Sequence, residues 1–212
     1  MAIASLRDIV VTAGTFPLLA GVNLELEGAT SYVVTGPNGV GKTSLLRLLA
    51  GLEAPTRGSG HVLNFDLATT QRRQVRRNVG WLGHEGSFYD DLSATDNLLF
   101  AARALRLDVA LVAPALERVG LGGRLRTPVK LLSAGQRRRL GLAWLLVRRP
   151  QLWLLDEPYA SLDDAGRDLM SDLINHATAS GATVVLSSHD PVRRDVVASH
   201  IEMRGGRIER VG

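Results

Sequence analysis

The sequence predicts an α/β protein with a mainly parallel sheet, two strands towards the N-terminus and an α-helical insertion in the core. Three observations lead there. A short apolar strand at 31–35 runs into a glycine-rich loop at 36–41 and then a helix at 43–52, which carries Leu45, Leu46, Leu48, Leu49 and Leu52 on one broad face. Two later apolar runs, 152–155 and 182–186, lack polar alternation, as strands buried on both faces of a parallel sheet do, and a helical stripe of Leu169, Met170, Leu173, Ile174 and Ala177 lies between them. The stretch 92–147, which separates the two halves, reads as helical.

Along the chain, 3–11 and 18–26 read as strands, the second alternating through Val22, Leu24 and Leu26 before Glu27-Gly28 turns it. Ser93 followed by Asp96 has the form of a helix N-cap, and a stripe of Leu98, Leu99, Ala102 and Leu105 follows it. Pro114 allows a further helix only if that helix begins near it. In 136–149, Leu140, Ala143, Trp144 and Val147 fall at i, i+3, i+4 and i+7, and Pro150 must end the helix. Gly205-Gly206 between 201–203 and 207–209 is a hairpin signal. No internal repeat or low-complexity linker interrupts the pattern, so one domain over 1–212 is expected, with the helical subdomain at 86–150.

Composition sets the outer limits. With 212 residues, 45% hydrophobic and 22% charged, the chain can bury a sizeable core and lies far from disordered compositions. Apolar runs such as 142–147 fall well short of the roughly 18 to 20 residues that cross a bilayer, and Arg7 and Asp8 break the N-terminal apolar stretch, so no signal peptide is expected and the cytosol is the expected compartment. There is no cysteine, which removes disulfides, thiolate zinc sites and thiol nucleophiles. A pI near 10.1 raises nucleic acid as a partner, since all basic residues but Lys42 and Lys130 are arginines. No aromatic interleaving accompanies Arg72, Arg73, Arg76 and Arg77, so solvated charge is the better reading and no nucleic acid is expected.

The chemistry begins at Gly36, Pro37, Asn38, Gly39, Val40, Gly41, Lys42 and Thr43, which fit the phosphate-loop pattern G-x-x-x-x-G-K-[ST], with Ser44 next in line. Glycines let successive backbone N–H groups converge on a polyphosphate. The following helix adds its dipole, Lys42 reaches the β and γ phosphates, and the Thr43 hydroxyl is a Mg²⁺ ligand. The apolar run 152–155 ends in Asp156 and Glu157; at the carboxyl end of such a strand Asp156 holds Mg²⁺ and Glu157 orients the attacking water. Together these motifs describe a nucleoside triphosphatase.

Leu132-Ser133-Ala134-Gly135-Gln136 resembles the signature of the ATP-binding cassette (ABC) ATPases, whose common form has glycine at the position of Ala134; alone, the same string is an ordinary N-cap. Two further landmarks follow in family order: Ser161-Leu162-Asp163, which resembles the D-loop, and His189, which resembles the switch histidine that meets the γ-phosphate. The resemblance spans 3–211 and implies a P-loop NTPase core carrying an antiparallel β subdomain and a helical subdomain. It also implies a head-to-tail homodimer in which Ser133, Gly135, Gln136 and Asp163 of one copy complete the ATP site of the other, with Glu157, His189 and Lys42 as the catalytic groups.

Two positions depart from the family pattern. Glu85 stands where a Mg²⁺-contacting glutamine is usual, and Ala13 stands near the usual adenine-stacking aromatic, leaving Phe16 as the nearest candidate, equally able to be core. About ninety residues separate Lys42 from Ser133, too few for the coiled coil of chromosome and DNA-repair cassettes, and translation-associated cassettes carry two such domains. The alanine of the signature and Trp153 resemble the ATPase subunits of bacterial haem exporters used in cytochrome c maturation, with the ATPase of another small exporter (drug, lipid or polysaccharide) as alternative and a soluble nucleic-acid-associated cassette further behind. That resemblance implies integral membrane partner subunits and a place on the cytoplasmic face of the membrane. Glu85→Gln is expected to keep ATPase activity within about tenfold, about 1.4 kcal/mol in barrier, as measured by phosphate release; complete loss of turnover would contradict a shared role for the two residue types.

Overall fold

The computed structural model describes residues 2–83, 88–189, 196 and 198–212. They form two compact units, one of Met1–Trp81, Pro150–Pro158 and Ser171–Gly212, the other of Leu82–Arg149 and Tyr159–Met170.

In the first unit, β1 (Ala2–Ala13) and β2 (Phe16–Glu27) form a long antiparallel hairpin. Strands β4 (Arg57–Val62) and β5 (Phe65–Asp66) extend it to a four-stranded sheet in the order β2-β1-β4-β5. The inward residues Leu6, Ile9, Leu19, Val22 and Leu26 are almost wholly excluded from solvent, as the alternation in β2 requires. Phe16 opens β2 at the hairpin turn and is 76% exposed, so it is not a core residue.

The second sheet has six strands in the order β10-β9-β3-β8-β7-β6, with β3 (Ser31–Thr35), β6 (Val79–Leu82), β7 (Leu152–Leu155), β8 (Thr183–Ser187), β9 (Ser199–Arg204) and β10 (Arg207–Val211). Strand β3 runs parallel to β8 and β9, and β7 runs parallel to β8, so these strands end on the same side. Every residue of β7 and β8 is buried, which accounts for their unbroken apolar runs. The register pairs Leu155 with Leu186 and Val34 with Ser187, so the residues that follow β3 and β7 emerge beside the end of β8. Ligands of open α/β sheets bind at this carboxyl edge of the strands.

Helix α1 (Lys42–Leu49) stops three residues before the 43–52 expected from its leucines. Gly51 takes φ +68 just beyond the Ala50 cap, where a Cβ would stand 2.7 Å from the Arg72 carbonyl oxygen, and Leu52 falls outside the helix at 45% exposure. Leu45, Leu46, Leu48 and Leu49 are fully buried. Burying each contributes on the order of 1.5–3 kcal/mol towards seating the helix against the sheet. The short α2 (Arg72–Asn78) buries only Val75, an apolar signal too weak for periodicity to register. At the last hairpin, Gly205 and Gly206 both take positive φ, the geometry of a two-residue primed turn.

The second unit holds α3 (Ala94–Ala104), α4 (Val112–Arg118) and α5 (Ala134–Arg148), joined by short 3₁₀ turns. Ser93 caps α3, accepting from the Asp96 N–H, and the buried Asn97 amide donates to the carbonyls of Tyr89, Leu92 and Ser93. Pro114 lies in the first turn of α4, where its missing N–H costs nothing, and α5 ends on left-handed Arg149 before Pro150. Helix α6 (Asp164–Ala179) follows Asp163 and leads to β8. Among the described residues, no helix is long and apolar enough to cross a membrane.

Candidate functional site

The phosphate loop is held open by backbone geometry. A Cβ at Gly36 (φ +142) would collide with the Met203 carbonyl oxygen on β9, and one at Gly41 (φ +108) would lie 2.5 Å from the Leu18 carbonyl oxygen on β2. No L-residue side chain fits at either position. Gly39 also takes positive φ, at +75, but in open space. Val40 tucks inward at 8% exposure while Pro37, Asn38 and Gly39 face solvent, so the loop offers its backbone outward.

Gly41 is the N-cap of α1 and makes no side-chain cap, so the helix N-terminus keeps N–H groups for a ligand. Lys42 is buried at 6% exposure and curls back over the loop, its Nζ donating to the Gly36 and Pro37 carbonyls at 2.7 and 3.1 Å. An ammonium fixed this way sits over the loop's mouth. Ser44, third in the helix, is half-buried.

Across the mouth lie the carboxylates at the end of β7. The Thr43 hydroxyl donates to Asp156 at 2.9 Å to Oδ2 and 3.2 Å to Oδ1. Asp156 is only 6% exposed, and its Oδ1 also accepts from the Ser187 hydroxyl at 2.7 Å. The Ser187 oxygen in turn accepts from the Glu157 N–H at 2.9 Å. Glu157 takes φ +47, the left-handed region, at a cost of about 1 kcal/mol for a residue with a Cβ. That conformation turns its side chain to His189, whose Nε2 lies 3.1 Å from Glu157 Oε1. Thr43, Asp156, Glu157, Ser187, His189 and Lys42 therefore gather at one edge of the parallel sheet. Ser187 was not singled out from the sequence; a serine closing a fully buried strand was its only signal.

Ser133, Gly135, Gln136 and Asp163 belong to the second unit. Ser133 caps α5 by accepting the Gln136 N–H at 3.2 Å, and Gln136 Oε1 accepts the Ser133 N–H at 3.0 Å, a complete capping box. The ordinary N-cap reading of this string is thus realised. It uses a lone pair of the Ser133 hydroxyl, not its proton. A Cβ at Gly135 would lie 3.1 Å from the Ser161 carbonyl oxygen, so the signature and the 161–163 loop pack at close range. Arg139 donates to Asp163 Oδ1 at 3.1 Å, and the same oxygen caps α6 through the Gly166 N–H at 2.9 Å. Residues 133–136, Arg139 and 161–163 line an open cavity of about 500 Å³. Arg139 is a further residue that the sequence did not mark. Glu85 lies outside the described residues.

A sequence model described as ABC transporter matches residues 19–160. The chain belongs to the ABC transporter family. It is 39% identical over 210 residues to the cytochrome c biogenesis ATP-binding export protein CcmA of Nitrosospira multiformis, covering 96% of this chain and 95% of that one. To the protein of the same name from Escherichia coli strain K12 it is 36% identical, over 91% of each chain. The lantibiotic transport ATP-binding protein SrtF of Streptococcus pyogenes is 33% identical over 87% of this chain and 79% of its own. Among solved structures, the ATP-binding subunit of an ABC transporter superposes with a TM-score of 0.90 at 23% identity, covering 99% of this chain and 89% of that chain. A dimeric ATP-binding cassette in a post-hydrolysis state with ADP and phosphate superposes at 0.89, also at 23% identity, over 99% and 97%. At that identity the likeness shows the fold. The expected α/β architecture and the ABC resemblance both hold, and as an ABC ATPase the chain binds and hydrolyses ATP.

The left-handed Glu157 makes a stability comparison informative. Glu157→Gly is expected to be about 1 kcal/mol more stable to urea than Glu157→Ala, although both remove the carboxylate, because only glycine adopts φ +47 without strain. Equal unfolding midpoints for the two variants would contradict a strained Glu157.

Proposed function

We propose that this chain is the ATPase of an export system that moves haem for cytochrome c maturation. It would work through integral membrane subunits from the cytoplasmic face of the membrane. The observation that carries this reading is the 36–39% identity to CcmA proteins over more than nine-tenths of both chains. Ala134 in the signature and Trp153 in β7 agree with it. The helical subdomain, 86–150, is the part assigned to the membrane partners.

Hard oxygen donors at one point suit Mg²⁺, and the Thr43 hydroxyl beside the Asp156 carboxylate at 2.9 Å supplies them, with Glu85 as a further proposed ligand. When bound, the ion neutralises charge on the β and γ phosphates. Loop amides from 36 to 44 cradle the phosphates, and the Lys42 ammonium exchanges its carbonyl partners for phosphate oxygens. Glu157 accepts a hydrogen bond from the water in line with the γ-phosphate. His189, already paired with Glu157, steadies that carboxylate and meets the γ-phosphate.

In this scheme two copies close head to tail on ATP. The Ser133 hydroxyl proton and the Gly135 N–H of one copy meet the γ-phosphate held by the other; Gln136 and Asp163 line the same seam. Closure transmits force to the membrane subunits, and hydrolysis reopens the pair. The 33% identity to a lantibiotic transport protein favours, as second reading, the ATPase of another small exporter.

Two experiments follow. Tagged Glu157→Gln, purified from gently solubilised membranes with ATP present, is expected to bring down haem-exporter permeases and to run as a dimer with ATP by light scattering. Permeases of another system would select the second reading; nucleic acid or ribosomes alone, or a monomer at saturating ATP, would count against the scheme. For the base, the exposed Phe16 ring is the proposed platform, and stacking discriminates little between purines. ATP and GTP are expected to show kcat/KM values within about tenfold of each other, and Phe16→Ala to weaken binding of both about tenfold, a loss of roughly 1.4 kcal/mol. Unchanged affinity in that variant would remove Phe16 from the site.

A further inference from the structure

We propose that Ser187 is a positioning residue that locks the two adjacent carboxylates of the ATP site in register with each other; this rests on the roles proposed above for Asp156 and Glu157. Its hydroxyl stands between them. It donates to Asp156 Oδ1 at 2.7 Å and accepts from the Glu157 backbone N–H at 2.9 Å, so one oxygen links the side chain of the first residue to the main chain of the second.

Ser187 is fully buried, and it is the last residue of β8, paired in register with Val34 of β3. A buried hydroxyl is fixed in one orientation where its donor and acceptor capacities are both met, and here each is met by a different residue. The donated bond is short because its acceptor is a carboxylate, and it lies on Oδ1, leaving Thr43 to meet Oδ2 at 2.9 Å. Asp156 is therefore clamped from both sides, by α1 through Thr43 and by β8 through Ser187.

The accepted bond acts on Glu157. The N–H that it captures belongs to a residue in the left-handed region at φ +47, where the backbone reverses and delivers the Glu157 carboxylate to His189 at 3.1 Å. Without that acceptor the peptide between Asp156 and Glu157 keeps a part-buried N–H with one partner fewer and is freer to turn. The Glu157 side chain would then lose its fixed aim. Ser187 touches neither nucleotide nor water in this arrangement; it acts through its two neighbours.

Substitutions matched in volume separate this role from packing. Threonine keeps the hydroxyl on a strand that tolerates β-branching, and valine has the same shape without it. Relative to the wild-type chain, Ser187→Ala and Ser187→Val are expected to lose about tenfold in kcat, with KM for ATP within threefold, because the phosphate loop is untouched. A second readout needs no turnover: binding of a fluorescent ATP analogue titrated with Mg²⁺ is expected to show its Mg²⁺ midpoint raised about threefold to tenfold in the alanine and valine variants. Ser187→Thr is expected to restore both quantities to within about twofold of wild type.

Equal losses in threonine and valine variants would assign Ser187 to packing and overturn the proposal. Wild-type kcat and Mg²⁺ midpoint in both alanine and valine variants would overturn it as well. A wild-type chain without Mg²⁺-dependent ATP turnover would overturn the site reading and this assignment together, which distinguishes that failure from the first two.

Discussion

A carboxylate buried to 6% exposure at the end of an all-apolar strand must be met by donors, and at Asp156 that requirement organises the molecule around it. Among its donors are hydroxyls from two other elements: Thr43 at the start of α1 and Ser187 at the end of β8. Each can reach Asp156 only if β3, β7 and β8 are parallel and in the register that pairs Leu155 with Leu186 and Val34 with Ser187. A slip of one residue in β8 would turn Ser187 to the opposite face of the sheet, away from Asp156. The site and the sheet register are thus one constraint seen at two scales.

Around this point the protein accepts local cost for chemical placement. Gly36 and Gly41 give up side chains so that the loop backbone can press against β9 and β2 and present its amides outward. Glu157, whose proposed part in hydrolysis needs a carboxylate that glycine lacks, adopts the left-handed conformation regardless. Lys42 spends hydrogen bonds on the loop's own carbonyls, which keeps a buried ammonium satisfied and close to where phosphate charge would lie. Strained and buried polar groups collected at one edge of an otherwise apolar sheet are what a catalytic edge looks like in physical terms.

The second unit solves a different problem. Its signature string is first a helix start, with Ser133 and Gln136 completing a capping box, and only then a candidate phosphate contact. The two uses are compatible because capping takes a lone pair and phosphate recognition takes a proton. Arg139 adds a tie from α5 to Asp163, an exposed pair whose direct contribution to stability is small, on the order of 0–1 kcal/mol, but which helps define the wall of the cavity beside it.

How much of this could be read from the sequence differs by element. The phosphate loop, the apolar strands at 152–155 and 182–186, the capped helices at Ser93 and Ser133 and the Gly205-Gly206 hairpin were legible, because each is determined by residues adjacent along the chain: glycines permitting a backbone path, unbroken apolar runs, short polar caps. Helix α2, with one buried residue, and the short β5 were not, since they exist by leaning on neighbours and carry no periodic signal of their own. The length of α1 was overread because Leu52 continues the apolar stripe past the turn that Gly51 makes under the Arg72 carbonyl. Phe16 looked equally fit for core or surface until the hairpin placed it in solvent. Ser187 and Arg139 were invisible as site residues for the same reason: a hydroxyl or guanidinium takes its role from what lies across space from it. Sequence by itself determined which chemistry the chain holds, because catalytic residue types and backbone-permitting glycines are local properties. Only the tertiary structure decided which side chains hold the carboxylates in place, because that depends on strand register and on partners 30 to 113 residues away.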